Sequence, residues 1–276
     1  MSEAVYGRLA RRASADCERG NVTHNLGAIG RRRAEAARRF LAAALPGLVV
    51  LGLACGACGE STPGDPSAAA FEFDFAQSDF GWVAGFADYP PGDEAFYELE
   101  SGHRPLPAPL DGSRRALFIS GNNHSDDLFM FWKKRVVGLR PGETYGARLT
   151  VEFATNAPRN CVGVGGAPGE GVTVKAGASA VEPAAVARGD VYEMSIDKGN
   201  QAEGGANAAA IGDVAGSRTC DTPDVPFELK RLATPAPIVV TADSGGGAWL
   251  IVGTDSGFEA TTSLYYTFVS ASFDPR

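Results

Sequence analysis

Between the apolar runs Leu117-Phe118-Ile119 and Leu128 to Trp132 the chain carries its densest set of chemically capable side chains, S-G-N-N-H-S-D-D from Ser120 to Asp127. Asn122, Asn123, His124, Asp126 and Asp127 together offer amides, an imidazole and two carboxylates. Such groups can hydrogen-bond sugar hydroxyls in directional pairs, or the acids can give hard oxygen ligands to a calcium ion. The same composition also serves a turn whose Asn and Asp side chains cap backbone groups. Trp82, Phe86 and Tyr89 add aromatic surface on which the C–H face of a sugar ring could pack. A tryptophan in a sandwich is more commonly a core residue, and Tyr89, followed by Pro90 and Pro91, is the member of this trio expected to be exposed.

Other chemistries are limited by what the chain lacks. Only His103 and His124 lie beyond the first 54 residues, so a three-histidine zinc site within one chain is excluded. No H-E-x-x-H is present. Gly163 to Gly169 is glycine-rich but has no following G-K-[ST] and reads as a turn-rich connection. Glycoside hydrolysis needs two carboxylates facing one another, and the sequence cannot nominate them among the many acids. No catalytic residue is assigned. Asp197-Lys198-Gly199-Asn200-Gln201 and Thr254-Asp255-Ser256-Gly257 are further polar loops, relevant if folding brings them beside Asn122 to Asp127.

The elements that must carry these loops read as strands. Phe71, Phe73 and Phe75 alternate with acids, Leu149, Val151 and Phe153 with polar residues, and Val172 and Val174 with Thr173 and Lys175, as half-buried strands require. Leu128 to Trp132 and Trp249 to Val252 are apolar on both faces and suit mid-sheet strands. Pro141-Gly142 fits the centre of a type II turn. Helical periodicity is nearly absent, with one short turn expected over Pro183 to Arg188. The fold class is therefore all-β, a single β-sandwich over residues 71–276, since about 205 residues without a second linker suit one domain.

Ahead of that domain the chain reads as a targeting segment. Arg31, Arg32, Arg33, Arg38 and Arg39 precede an uncharged apolar run of 15 residues, Phe40 to Ala54, that closes on L-G-L-A-C. This is the pattern of a bacterial lipoprotein signal, with cleavage before Cys55 and acylation of its thiol; an ordinary signal peptide with a coincidental cysteine is the alternative. The expected organisation is a leader over 1–54, a lipid-anchored flexible tether over 55–70, and an exported domain held at the cell envelope. Removing the leader leaves 16 basic and 29 acidic residues, a charge of −13 that disfavours nucleic acid as a partner. Cys58 makes a C-x-x-C with Cys55, but Cys55 is the lipid site. Cys161 and Cys220 are the only cysteines left in the domain, and an exported compartment permits them to pair as a disulfide.

Phe73-Asp74-Phe75 with Gly81-Trp82, the G-L-R-P-G-E-T-Y stretch ending at Tyr145, and a final strand from Leu264 to Phe273 together resemble jelly-roll, galactose-binding-like carbohydrate-binding modules. The mature region is also similar to uncharacterised bacterial secreted proteins or lipoproteins carrying F-A-D-Y-P, S-G-N-N-H-S-D-D, C-V-G-V-G-G and D-K-G-N-Q segments, here at Phe86, Ser120, Cys161 and Asp197. The first resemblance implies a jelly-roll-like sandwich and a carbohydrate partner. Two other functions stay open: a structural or protein-interaction envelope lipoprotein, and a hydrolase with an unassigned carboxylate pair.

Overall fold

The computed structural model describes residues 67–276, which form an all-β, jelly-roll-like sandwich. The leader, Cys55, Cys58 and most of the expected tether lie outside the described residues. The strands in chain order are β1 (Ala69–Asp74), β2 (Val83–Ala87), β3 (Glu100–Pro105), β4 (Arg115–Asn122), β5 (Leu128–Val137), β6 (Thr144–Thr155) and β7 (Val172–Ser179). They continue with β8 (Ala185–Arg188), β9 (Val191–Met194), β10 (Ala208–Asp213), β11 (Glu228–Ala233), β12 (Ile238–Thr241), β13 (Gly247–Ser256) and β14 (Thr261–Pro275). The first strand thus opens at Ala69, inside the stretch read as tether.

Two antiparallel sheets face each other. One runs β11-β6-β14-β4-β3, with β1 pairing β14 and β12 pairing β6; the other runs β10-β7-β13-β5-β2. Strand alternation decides what lies between them. Leu149, Val151 and Phe153 of β6 and Leu264, Tyr266 and Val269 of β14 meet Leu128, Met130 and Trp132 of β5 and Leu250 and Val252 of β13 in one core. Trp82 belongs to this core, packed edge-on against Phe73 and Phe75. The expected turn is present: Gly142 takes φ +73°, Glu143 N–H donates to the Arg140 carbonyl at 3.2 Å, and the Arg140 N–H donates to the hydroxyl of buried Tyr145 at 3.0 Å. Cys161 and Cys220 form a disulfide spanning 59 residues of sequence.

Two expectations are corrected. Pro183 to Arg188 is not a helical turn, because Ala185–Arg188 is the strand β8, paired with β9 in a hairpin. Its φ > 0 turn residue, Gly189 at +64°, supplies the reversal. The strand β7 is not half-buried; all eight of its residues are buried. The outward Lys175 lies under the Lys198–Glu203 segment, whose carbonyls accept from it, next to a second, smaller apolar cluster on the outer face of the five-stranded sheet. There Ala87, Phe129, Phe131, Ile251 and Ala208 pack against Met194 and Ile196, which close the β8–β9 segment over the sheet. That cover is also fixed by backbone bonds, from Asp88 N–H to the Tyr192 carbonyl at 2.6 Å and from Tyr192 N–H to the Tyr89 carbonyl at 2.9 Å. Lys175 of β7 and Asp255 of β13 are buried on this outer face.

Candidate functional site: a charged cluster beneath an acidic cleft

Period-two alternation places Lys175 of β7 and Asp255 of β13 on the outer face, in the same parity as Phe129 and Ile251. Lys175 is paired opposite Gly253, so its own side chain has no competitor there and leans along the strand to Asp255. Both are only 1% exposed. The Lys175 ammonium donates three bonds, to Asp255 Oδ2 at 2.8 Å and to the Lys198 and Glu203 carbonyls at 2.8 and 3.0 Å, so its donor capacity is full.

A second lysine joins from the loop after β9. Lys198 Nζ donates to Asp255 Oδ2 at 2.7 Å, lies 5.0 Å from the centre of the Phe129 ring, and stands 2.9 Å from Asp88 Oδ2. The last is an ionic contact lying off the hydrogen-bond direction, since that buried oxygen has no hydrogen-bonded partner. Asp88 reaches the cluster because it leaves β2 in the left-handed region, at φ +65°, which an aspartate tolerates better than most residues. Asp127 enters from the residue before β5. Asp88, Asp127 and Asp255 each bring a carboxylate oxygen to within 4.8 Å of the others.

Three carboxyl groups against two ammonium groups leave the cluster one positive charge short if every acid is ionised. Protonation supplies it. Burial, and then the neighbouring Asp255 carboxylate with which it shares a hydrogen bond, push the Asp127 carboxyl up to about 8. Asp127 is thus a neutral acid near pH 7 and donates to Asp255. This accounts for the buried Oδ1 atoms of Asp127 and Asp255, neither of which has another partner. Burial also raises Asp88, partly offset by Lys198. It lowers Lys175 against the pull of Asp255. For Lys198 burial acts downward too, but Asp255 and Asp88 outweigh it and the ammonium is held above its usual range.

Above this cluster opens a cleft of about 380 Å³ lined by Asp88, Tyr89, Pro90, Ser125, Asp127, Val191 and Glu193. Asp88 Oδ1 and Asp127 Oδ2 are the carboxylate oxygens left to it, being neither buried nor bonded within the protein. Tyr89 is 5% exposed, which corrects its reading as the exposed aromatic. Its ring lies against those of Tyr97 and Tyr192, at centroid distances of 5.5 and 5.2 Å, and it lines the cleft. The exposed aromatic surface nearby is a different one. Phe96 is 60% exposed and stacks on His124 with ring centres 4.1 Å apart.

The Ser120–Asp127 segment divides between two roles. Asn123 is buried and fully committed: its amide donates to the Ser256 and Phe258 carbonyls at 2.8 and 3.2 Å, and its Oδ1 accepts from Ser125 N–H at 3.1 Å. It ties the loop down and is not free for a ligand. Asn122 donates to Glu98 at 3.2 Å, outside the cleft lining. Asp126 is exposed at φ +62°, and its carbonyl accepts from the Gln201 amide at 2.8 Å. His124 is exposed on Phe96, and Asp127 alone of the five enters the charged cluster. The two polar loops named from the sequence do converge here, through Lys198, Gln201, Asp255 and Ser256. Lys198 and Asp255 were named within those loops, whereas Asp88, Lys175 and Glu193 were not read from the sequence as site residues. Among them Asp88 and Lys198 sit in the F-A-D-Y-P and D-K-G-N-Q segments. The other histidine, His103, bonds the Phe75 carbonyl at 2.6 Å, away from this cleft.

The three carboxylates stand close enough together to meet one cation, but the Asp255 Oδ2 and Asp88 Oδ2 oxygens already face ammonium groups, and a divalent ion would sit beside Lys198.

No protein-family model and no curated protein matches this chain. Solved structures that it is similar to include a carbohydrate-binding module described for specific mannan recognition, TmCBM27, at 14% identity and a TM-score of 0.33, covering 75% of this chain and 98% of that one. The K1 cleaved adhesin domain of Lys-gingipain from Porphyromonas gingivalis W83 stands at 12% identity and 0.33, covering 74% and 97%. The module TmCBM61, solved with β-1,4-galactotriose, stands at 10% and 0.31, covering 69% and 87%. At these values the likeness carries nothing about ligand or site, and the fold assignment rests on the strand pairing above.

Proposed function

We propose that this protein is an exported lipoprotein, anchored to the bacterial cell envelope through Cys55, whose β-sandwich binds a carbohydrate in the Asp88–Asp127 cleft. The observation that carries the binding reading is the pair of accessible, unbonded carboxyl oxygens, Asp88 Oδ1 and Asp127 Oδ2, on the cleft lining, with Asp88 facing the buried Lys198 ammonium from below. Sugar hydroxyls donate hydrogen bonds, and fixed acceptors beside the apolar surface of Tyr89, Pro90 and Val191 suit them. The Phe96–His124 pair gives a ring face near the same end for a second sugar unit. Export and lipidation rest on the leader and the L-G-L-A-C sequence.

A hydrolase reading draws on the same acids but fits less well. Asp255, the carboxyl neighbour of Asp127, is sealed beneath the cleft and cannot reach a glycosidic bond. In this reading calcium is not needed, because a proton already balances the cluster. The test is a glycan panel with the purified protein, with and without calcium, scored for both binding and cleavage. Saturable binding without new reducing ends supports the reading; no binding under either condition refutes it. Metabolic labelling with a fatty acid, lost in Cys55→Ser, tests the anchor.

A further inference from the structure

The cluster's missing positive charge is the feature the general carbohydrate reading leaves unused. Asp88, Asp127 and Asp255 face Lys175 and Lys198, and no other ionised group of the described residues bonds within this set. Glu193, at the cleft rim, is paired with Arg188 at 3.4 Å on the surface. The cleft lining contains three acids and no base. Its walls therefore reject uronate or sulfate groups. A cation that reached Asp127 Oδ2 would complete the charge balance that the Asp127 proton otherwise supplies. The buried Asp255 Oδ1 has no partner besides that proton.

Resting on the carbohydrate reading above, we infer that the cleft selects a glycan bearing a free amino group, whose ammonium docks on Asp88 and Asp127 in exchange for the proton shared by Asp127 and Asp255. No covalent bond changes. The Asp127 O–H proton passes to solvent, and the ligand's N–H groups donate to Asp88 Oδ1 and Asp127 Oδ2. The cluster is then neutral with three ionised carboxylates, two lysines and one ligand ammonium. The apolar walls of Tyr89, Pro90 and Val191 exclude water from one side of that ion pair, which strengthens it relative to an exposed pair. A proton is the minimal occupant; an ammonium group does the same electrostatic work and adds directed hydrogen bonds.

The test is titration calorimetry of the purified protein at pH 5.5 with a fully deacetylated β-1,4-glucosamine oligomer, its fully N-acetylated counterpart, a neutral glucose oligomer and a polyuronate. Each titration is repeated in two buffers of different ionisation enthalpy. The deacetylated oligomer should bind about tenfold or more tightly than the acetylated one. It should also release about one proton per bound chain, because Asp127 is protonated in the free protein and not in the complex. Asp127→Asn keeps the size of the side chain and a donor toward Asp255 but has no proton to exchange. It should erase the release and bring the two oligomers to within about twofold. Acetylated or neutral oligomers binding as tightly as the amine, without proton release, would overturn this inference and leave carbohydrate binding standing. Calcium displacing the same proton and the oligomer together would overturn it in favour of a metal site. Binding of none of the four would remove the carbohydrate reading and this inference with it.

Discussion

Replacing Lys175 with methionine removes one ammonium group from a site where it is 1% exposed and makes three hydrogen bonds. Methionine nearly fills the volume of the lysine stem, so the cost is electrostatic and polar rather than a cavity. Breaking a buried ion pair by removing one partner costs about 3–5 kcal/mol. Lys198 still faces Asp255 at 2.7 Å and softens that figure. The Lys198 and Glu203 carbonyls, however, each lose a donor, at about 1 kcal/mol apiece. The net expectation is a loss of about 3–5 kcal/mol. Read by urea denaturation with a slope of about 2–3 kcal/mol per molar, this lowers the midpoint by roughly 1–2 M. Arg114→Met, which breaks the exposed pair with Asp74, is the control and should move stability by about 0.5 kcal/mol or less. Adding Asp255→Leu to Lys175→Met removes the stranded carboxylate as well. The double variant should therefore be less destabilised than the sum of its parts by about 1–3 kcal/mol. A loss below about 1 kcal/mol in Lys175→Met, or strict additivity in the double variant, would refute the argument that this lysine neutralises a sealed carboxylate.

The Asp127 proton has a stability signature. The folded protein holds it up to about pH 8 whereas an unfolded aspartate releases it near 3.8, so folding binds a proton between those values and stability falls as pH rises through them. Discounted for the solvent that reaches this residue from the cleft, the decline is on the order of 1–3 kcal/mol; Asp127→Asn should flatten it in melting curves between pH 5 and pH 8.5. The Cys161–Cys220 disulfide closes 59 residues, which on chain-entropy grounds confers about 4 kcal/mol, so Cys161→Ser/Cys220→Ser should lower the denaturation midpoint of the oxidised protein to that of the reduced one. Phe96→Ala removes a ring that is 60% exposed and that meets the Tyr97 and His124 rings; it should weaken glycan binding several-fold while leaving the melting temperature within a few degrees, as paired binding and melting measurements would show.

The sandwich was legible because its core obeys period two. Leu149, Val151 and Phe153 could face only one way once their polar neighbours faced the other, and the turn at Pro141-Gly142 fixed a reversal independently of tertiary context. The site was legible only in its loops. Lys175 alternates with Val172 and Val174 as a solvent-facing lysine would, and nothing local signals that the Lys198–Glu203 loop covers it. Tyr89 read as exposed beside two prolines, yet backbone bonds to Tyr192 draw the hairpin over its ring. Asp88 and Asp255 meet Asp127 through strand register between β2, β5 and β13, which is a long-range property that no local pattern encodes. Asn123 illustrates the opposite case: an amide that reads as ligand-ready is used up by two carbonyls and an N–H of its own surroundings.

Chemical-shift mapping tests most directly whether a carbohydrate binds in the cleft over the Asp88–Asp127–Asp255 cluster, as proposed. The isotope-labelled protein is titrated with the oligosaccharide that the glycan panel selects, and backbone amide shifts are followed residue by residue. Saturable shifts confined to residues 88–90, 125–127 and 191–193, with smaller ones at Phe96, are the expected result. Saturable shifts centred elsewhere, on the outer face of the seven-stranded sheet for example, or no shifts at millimolar ligand, would contradict it.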